Sequence, residues 1–217
     1  MAQDKLKKVL VFGATGTIGS YLVKNLSKNH FKIIPLSRDL SIISDLEKIE
    51  AVVWAQGINL TKEFLKTSDS EWHEIWEANL QFIINSLREL LINKCLINGS
   101  KLVVISSIWQ NLSRTNKTAY ITSKTAVGGL VRALSSELGS KKITMNALLP
   151  GVIDTPMTSN NLTPTQIKKI ISSTPTKQLI ELKEVLHWVN FLISNSSDGL
   201  NGQSIVLDNG WSIHREI

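Results

Sequence analysis

Val9-Leu10-Val11-Phe12-Gly13-Ala14-Thr15-Gly16-Thr17-Ile18-Gly19 passes from a short apolar run, through a glycine turn, into Ile18, Leu22, Val23 and Leu26 at helical spacing. The same alternation continues outward from it. Residues 31–36 and 51–55 are strand signals. Trp72, Ile75, Trp76, Leu80, Ile83, Ile84, Leu87 and Leu91 mark one long amphipathic helix. Residues 102–105 form a strand signal bounded by Gly99-Ser100 and Ser106-Ser107, and a helix from about 119 to 138 stops near Gly139. Residues 143–149 read as a strand that meets Pro150-Gly151, residues 184–193 as the last helix and residues 204–207 as the last strand. Continuous apolar strands alternating with helices predict a parallel sheet covered on both faces.

The turn adds a chemical reading. One glycine permits the tight bend, one lets backbone approach a pyrophosphate, and one lets the helix pack on the strand. The helix start then offers free N–H groups and a partial positive charge. Gly13, Thr15, Gly16, Thr17 and Ile18 are the candidate dinucleotide-binding residues. The expected fold is α/β: a Rossmann-type, doubly wound parallel sheet in three α/β/α layers. It forms a single domain over residues 1–217, with no internal repeat or linker. The second strand ends in Leu36-Ser37-Arg38-Asp39. A hydroxyl and a guanidinium at Ser37 and Arg38 suit the 2′-phosphate of NADP. Asp39 in the ribose-binding position would favour NAD instead.

Ser107 follows the 102–105 strand, Tyr120 comes thirteen residues later, and Lys124 four after that. Tyr120 and Lys124 share one face of a helix. A nearby cation favours the phenolate, so the tyrosine can exchange a proton with a carbonyl or alcohol oxygen that Ser107 holds in place.

Tyr120-Ile121-Thr122-Ser123-Lys124 with Ser107 resembles the active-site signature of the short-chain dehydrogenase/reductase family, and the resemblance runs over nearly the whole chain. It implies an NAD(P)-dependent oxidoreductase acting on a carbonyl compound and its secondary alcohol, and Ser37 and Arg38 tilt the expectation to NADP(H) over NAD(H). It implies a catalytic set of Asn79, Ser107, Tyr120 and Lys124, in which Asn79 supports a water-mediated proton relay from the lysine. Tyr120 and Lys124 also belong to the implied cofactor site. Residues 146–155 resemble the family's next strand and Pro-Gly turn, so Pro150, Gly151, the Ile153 backbone and the Thr155 hydroxyl are implied cofactor contacts. Residues 202–210 resemble its C-terminal strand.

The departures are specific. The glycine turn is one residue shorter than the family's common motif. Trp54-Ala55-Gln56-Gly57 replaces Asn-Asn-Ala-Gly, which leaves Ala55, Gln56 and Gly57 as the expected cofactor-facing stretch. The segment between Arg38 and Asp45 is very short. Asp39 and Leu40 then match the family's adenine-flanking turn, with most of a helix and a strand deleted.

Trp109, Gln110 and Met157 are the candidate substrate contacts. Met157 lies in an irregular loop over about 155–178 that contains Pro156, Pro164 and Pro175. The family also implies a homodimer or homotetramer built on the helices over 72–91 and 119–138. Two rival readings remain: a catalytically silent dinucleotide-binding regulator, and a nucleotide-sugar epimerase or dehydratase. The first expects a degraded catalytic set and the second a larger C-terminal domain.

Composition narrows the partners. Of 217 residues 42% are hydrophobic, and 24 Lys and Arg against 18 Asp and Glu give a net charge of +6. The basic residues are scattered apart from Lys5, Lys7 and Lys8 and the pairs 141–142 and 168–169, so no nucleic-acid partner is expected. Cys95 stands alone and the four histidines lack metal-ligand spacing, so neither a disulfide nor a metal is expected. The first apolar run is too short for a secretory signal, and no stretch approaches the roughly 18 apolar residues of a membrane span. A cytoplasmic enzyme with a small-molecule substrate and no membrane partner is the expectation.

Overall fold

The computed structural model describes residues 6–26 and 30–214. Six parallel strands, β1 (Lys7–Phe12), β2 (Phe31–Leu36), β3 (Ile49–Trp54), β4 (Leu96–Ile105), β5 (Thr144–Pro150) and β6 (Ser204–Leu207), lie in the order β2-β1-β3-β4-β5-β6. Alternate residues of each strand feed two separate cores. Leu10, Phe12, Val52 and Trp54 pack with Ile83 and Leu87 of α3 (Phe82–Ile92) and Val127 and Val131 of α4 (Thr118–Glu137). Val9, Val11, Ala51 and Val53 pack with Leu22 of α1 (Thr17–Asn25) and with Val185 and Val189 of α7 (Leu182–Leu192). This is the three-layer α/β/α arrangement read from the sequence. Cys95 is a buried hydrophobe whose thiol donates to the Ile43 carbonyl.

β1 pairs with β2 on one side and β3 on the other, so the chain reverses direction across the sheet there. Such a switch point opens a crevice at the carboxyl ends of the strands. The β2–β3 crossover is residues 37–48 and holds only a 3₁₀ turn, Ser41–Asp45.

Three local expectations need correction. β4 starts at Leu96 and takes Gly99-Ser100 inside it. A register shift opposite Ile49 absorbs those residues, and the Ser100 hydroxyl bonds the Ile49 carbonyl at 2.8 Å. The helix expected over 72–91 is α2 (Asp69–Trp76) and α3 joined by a π-helical turn, Glu77–Gln81. The segment expected to be irregular holds two helices, α5 (Pro156–Asn161) and α6 (Pro164–Ser173). In each a threonine caps the helix and a proline follows at the first position, where its missing N–H costs nothing. No helix among the described residues is long and apolar enough to cross a membrane.

Candidate active site

A cavity of about 900 Å³ opens at the carboxyl ends of β1, β3, β4 and β5. Its floor begins at the glycine turn. Gly13 has φ +75°, and a Cβ there would meet the Gln56 nitrogen at 2.6 Å. A Cβ on Gly19 would strike the Gly13 carbonyl oxygen, so only glycine lets α1 sit this close to the turn. Gly16 is the N-cap of α1, with no side-chain cap and no acidic residue in the first turn. The helix start is therefore free to receive an anion. Gly13, Thr15, Gly16, Thr17 and Ile18 all line the cavity.

Beside them, Ser37 and Arg38 reach the same cavity from β2. Asp39 and Leu40 are not in its wall. The Asp39 carboxylate accepts a hydrogen bond from the Ser41 amide at 2.9 Å, which holds the acid below its ordinary range, and Leu40 packs toward the core. Ala55, Gln56 and Gly57 line the wall after β3. Both polar atoms of the Gln56 side chain are buried without a protein partner. The glycine cradle and the uncapped helix start fit a bound dinucleotide, whose phosphate oxygens would meet the free N–H groups there.

Ser107, Tyr120 and Lys124 converge on the wall across from that floor. Ser107 lies just past β4 as the cap of a 3₁₀ turn. Burial pushes the Tyr120 phenol upward, and the Ser107 hydroxyl pulls the other way. Lys124 is 4% exposed, its Nζ lies 5.7 Å from the Tyr120 ring centroid, and burial pulls its ammonium down to about 8. Asn79 sits behind the wall in the π turn. Its Oδ1 accepts from the Ile58 amide at 2.9 Å, and its Nδ2 donates to the Ile58 carbonyl and to the Ser123 hydroxyl at 3.0 Å each. Gly57 lets the two groups approach each other, because a Cβ there would stand 3.0 Å from Asn79 Oδ1 and 3.2 Å from Lys124 Nζ.

Pro150, Gly151, Ile153 and Thr155 line the far end, with Trp109. The Trp109 ring meets Trp211 edge-on at 5.9 Å. Gln110 is turned away. Its Oε1 accepts from the Ser106 hydroxyl at 2.9 Å, its Nε2 donates to Ser204 at 2.8 Å, and it fills the space left by Gly128. It is a bolt between β4, β6 and α4 and does not line the cavity, contrary to the expectation of a substrate contact. The Met157 side chain lies outside the described residues. Among the cavity residues that the sequence reading did not single out are Arg114 and Lys117. The one available signal was their position in the loop that leads into Tyr120.

Residues 41–212 match the family model described as Enoyl-(Acyl carrier protein) reductase. A 3-oxoacyl-(acyl-carrier-protein) reductase of Pseudomonas aeruginosa is 26% identical over 218 residues, covering 95% of this chain and 88% of its own. Among solved structures, a gluconate 5-dehydrogenase of Burkholderia cenocepacia in complex with NADP and tartrate superposes with TM-score 0.87 at 18% identity, over 96% of both chains. A 4-hydroxyisoleucine dehydrogenase complexed with NADH gives 0.84 at 21% identity, over 96% of this chain and 100% of its own. Those two structures share the fold, and the family model spans most of the sequence. The chain belongs to the short-chain dehydrogenase/reductase family of NAD(P)-dependent oxidoreductases.

Proposed function

We propose that this protein reduces a carbonyl compound to its secondary alcohol, and runs the reverse oxidation, with NADP(H) in preference to NAD(H). The convergence of Ser107, Tyr120 and Lys124 on one cavity with the glycine turn carries this reading. The nicotinamide cofactor, when bound, supplies the hydride donor or acceptor. Tyr120 gives its proton to the carbonyl oxygen, or takes one from the alcohol. Ser107 hydrogen-bonds the same oxygen and fixes its distance from the phenol. Lys124, protonated beside the ring, stabilises the phenolate once the proton has left. Asn79 holds the Ile58 backbone and Ser123 in register, so that the lysine keeps its place and proton exchange with solvent can pass along that edge.

The NADP preference rests on Arg38 and Ser37 lining the cavity while Asp39 lies outside its wall. Arg38 is the guanidinium suited to a 2′-phosphate. The lone buried thiol agrees with a cytoplasmic setting. Exposed Trp76 and Ile92 on α2 and α3 favour assembly as a homodimer or homotetramer.

Fluorescence titration with NADPH and with NADH tests the reading. Tighter NADPH binding, lost selectively in Arg38→Ala, is expected. Preference for NADH overturns the cofactor assignment, and binding of neither overturns the oxidoreductase reading for this chain.

A further inference from the structure

Lys117 is a second lysine at the catalytic tyrosine, and neither the Ser–Tyr–Lys pattern nor the cofactor accounts for it. It is 5% exposed and lines the cavity. Its Nζ donates to Asn59 Oδ1 at 2.6 Å and lies 5.1 Å from the Tyr120 ring centroid, closer than Lys124. Burial, and then the neighbouring Arg114 guanidinium, draw its ammonium down to about 8. No ion pair among the described residues engages Lys117 or Arg114. Glu74 and Glu77 border the same cavity, but both are exposed and neither is among the charges that act on Lys117. The start of α4, at Thr118, has no side-chain cap and no acid in its first turn, which adds positive potential at the same place.

The Arg114 guanidinium adds to the cost of burying the Lys117 charge, and a protein that buries a charge ordinarily pairs it. Asn59 satisfies one of the three ammonium donors and no charge. The missing partner must come from the cavity.

We propose that Lys117 and Arg114 form the binding site for a carboxylate carried by the substrate, so that the compound reduced is a small oxo acid and the product a hydroxy acid. The carboxylate lies against the two cations while the reacting carbonyl oxygen lies at Ser107 and Tyr120. Lys117 is then a specificity-determining residue that touches substrate. This rests on the oxidoreductase reading above, because only that reading puts the carbonyl at Tyr120.

The test is a calorimetric titration of malonate into the full-length protein, with and without saturating NADP, beside neutral malonamide and inorganic phosphate. Malonate is expected to bind the wild type. Lys117→Gln should weaken that binding by at least about tenfold, as loss of a charge-assisted contact does, and Lys117→Arg should retain it. Malonamide should not bind. If Lys117→Gln fails to fold by circular dichroism, Arg114→Gln takes its place with the same expected loss. Four outcomes overturn the proposal: no malonate binding to the wild type, equal binding by the glutamine variant, equal binding of malonamide, or phosphate binding more tightly than malonate. Nicotinamide fluorescence in the same samples separates the two readings. Protein that binds cofactor without malonate refutes the carboxylate site alone, whereas protein that binds no cofactor refutes the oxidoreductase reading itself.

Discussion

Replacing Lys124 by methionine should stabilise the cofactor-free protein while abolishing turnover. Lys124 is 4% exposed and pairs with no acid among the described residues. Burial holds its ammonium at about 8 against an ordinary 10.5. That gap corresponds to roughly 3 kcal/mol spent keeping the charge in the folded wall at neutral pH. Below pH 8 the side chain is protonated in both the folded and the unfolded chain, so the full cost is present. As pH rises from about 8 to 10.5 the folded protein sheds the proton first, and stability recovers. Methionine has a similar length and no charge, so Lys124→Met removes the cost without leaving a large void. A net gain of about 2–3 kcal/mol would raise Tm by roughly 5–10 °C in a chain of this size. Thermal unfolding followed by circular dichroism at about pH 7 and about pH 10 measures it. The advantage should be large in the first buffer and small in the second. A variant less stable than the parent at neutral pH would refute the reasoning, because the buried ammonium would then be compensated by its surroundings.

The remaining expectations concern other parts of the wall. Tyr120→Phe should lower kcat by about 10²–10⁴-fold with cofactor affinity retained, and steady-state kinetics beside a fluorescence titration would show it. A variant keeping kcat within tenfold would remove the phenol from the chemistry. Gly13→Ala forces a Cβ against the Gln56 amide at a positive φ, so stability should fall by about 1–3 kcal/mol and dinucleotide affinity with it; thermal melts and the same titration read both. Gln110→Ala should also cost about 1–3 kcal/mol by orphaning Ser106 and Ser204, with KM unchanged in the folded fraction. A raised KM at unchanged Tm would return Gln110 to the substrate wall.

What was legible in the sequence is what local chemistry determines. The central strands stood out because residues 9–12, 51–54 and 102–105 are buried on both faces and read as unbroken apolar runs. The glycine turn and the Tyr120–Lys124 pair stood out because their geometry is set within a few residues. Gln110 misled because its direction depends on a glycine eighteen positions away, Gly128, which leaves room for it beneath α4. Pro156 and Pro164 read as breakers when each follows a capping threonine and so starts a helix. Lys117 was silent for a related reason. Its burial comes from the loop after β3 folding over it, held by the Lys62 amide on the Asn116 carbonyl at 2.7 Å and by Asn59. Those contacts join segments more than fifty residues apart, and no period or spacing encodes them.

The π turn at Glu77–Gln81 shows how a locally unfavourable geometry persists when the site needs it. A regular helix through this stretch would keep a single apolar stripe facing the sheet. The wider turn lets the consecutive residues Asn79 and Leu80 both turn inward, 1% and 8% exposed, while Ile83 and Leu87 hold their places in the core. Such bulges cost backbone hydrogen bonding and cluster at functional sites. Here Asn79 recovers part of that cost by bonding the Ile58 amide and carbonyl together, which fixes the loop after β3. That loop carries Gly57, which abuts Lys124, and Asn59, which holds Lys117. One irregular turn therefore sets the positions of both lysines beside Tyr120. A change that restored regular helix there would disturb the proposed proton-handling residue and the proposed carboxylate site together.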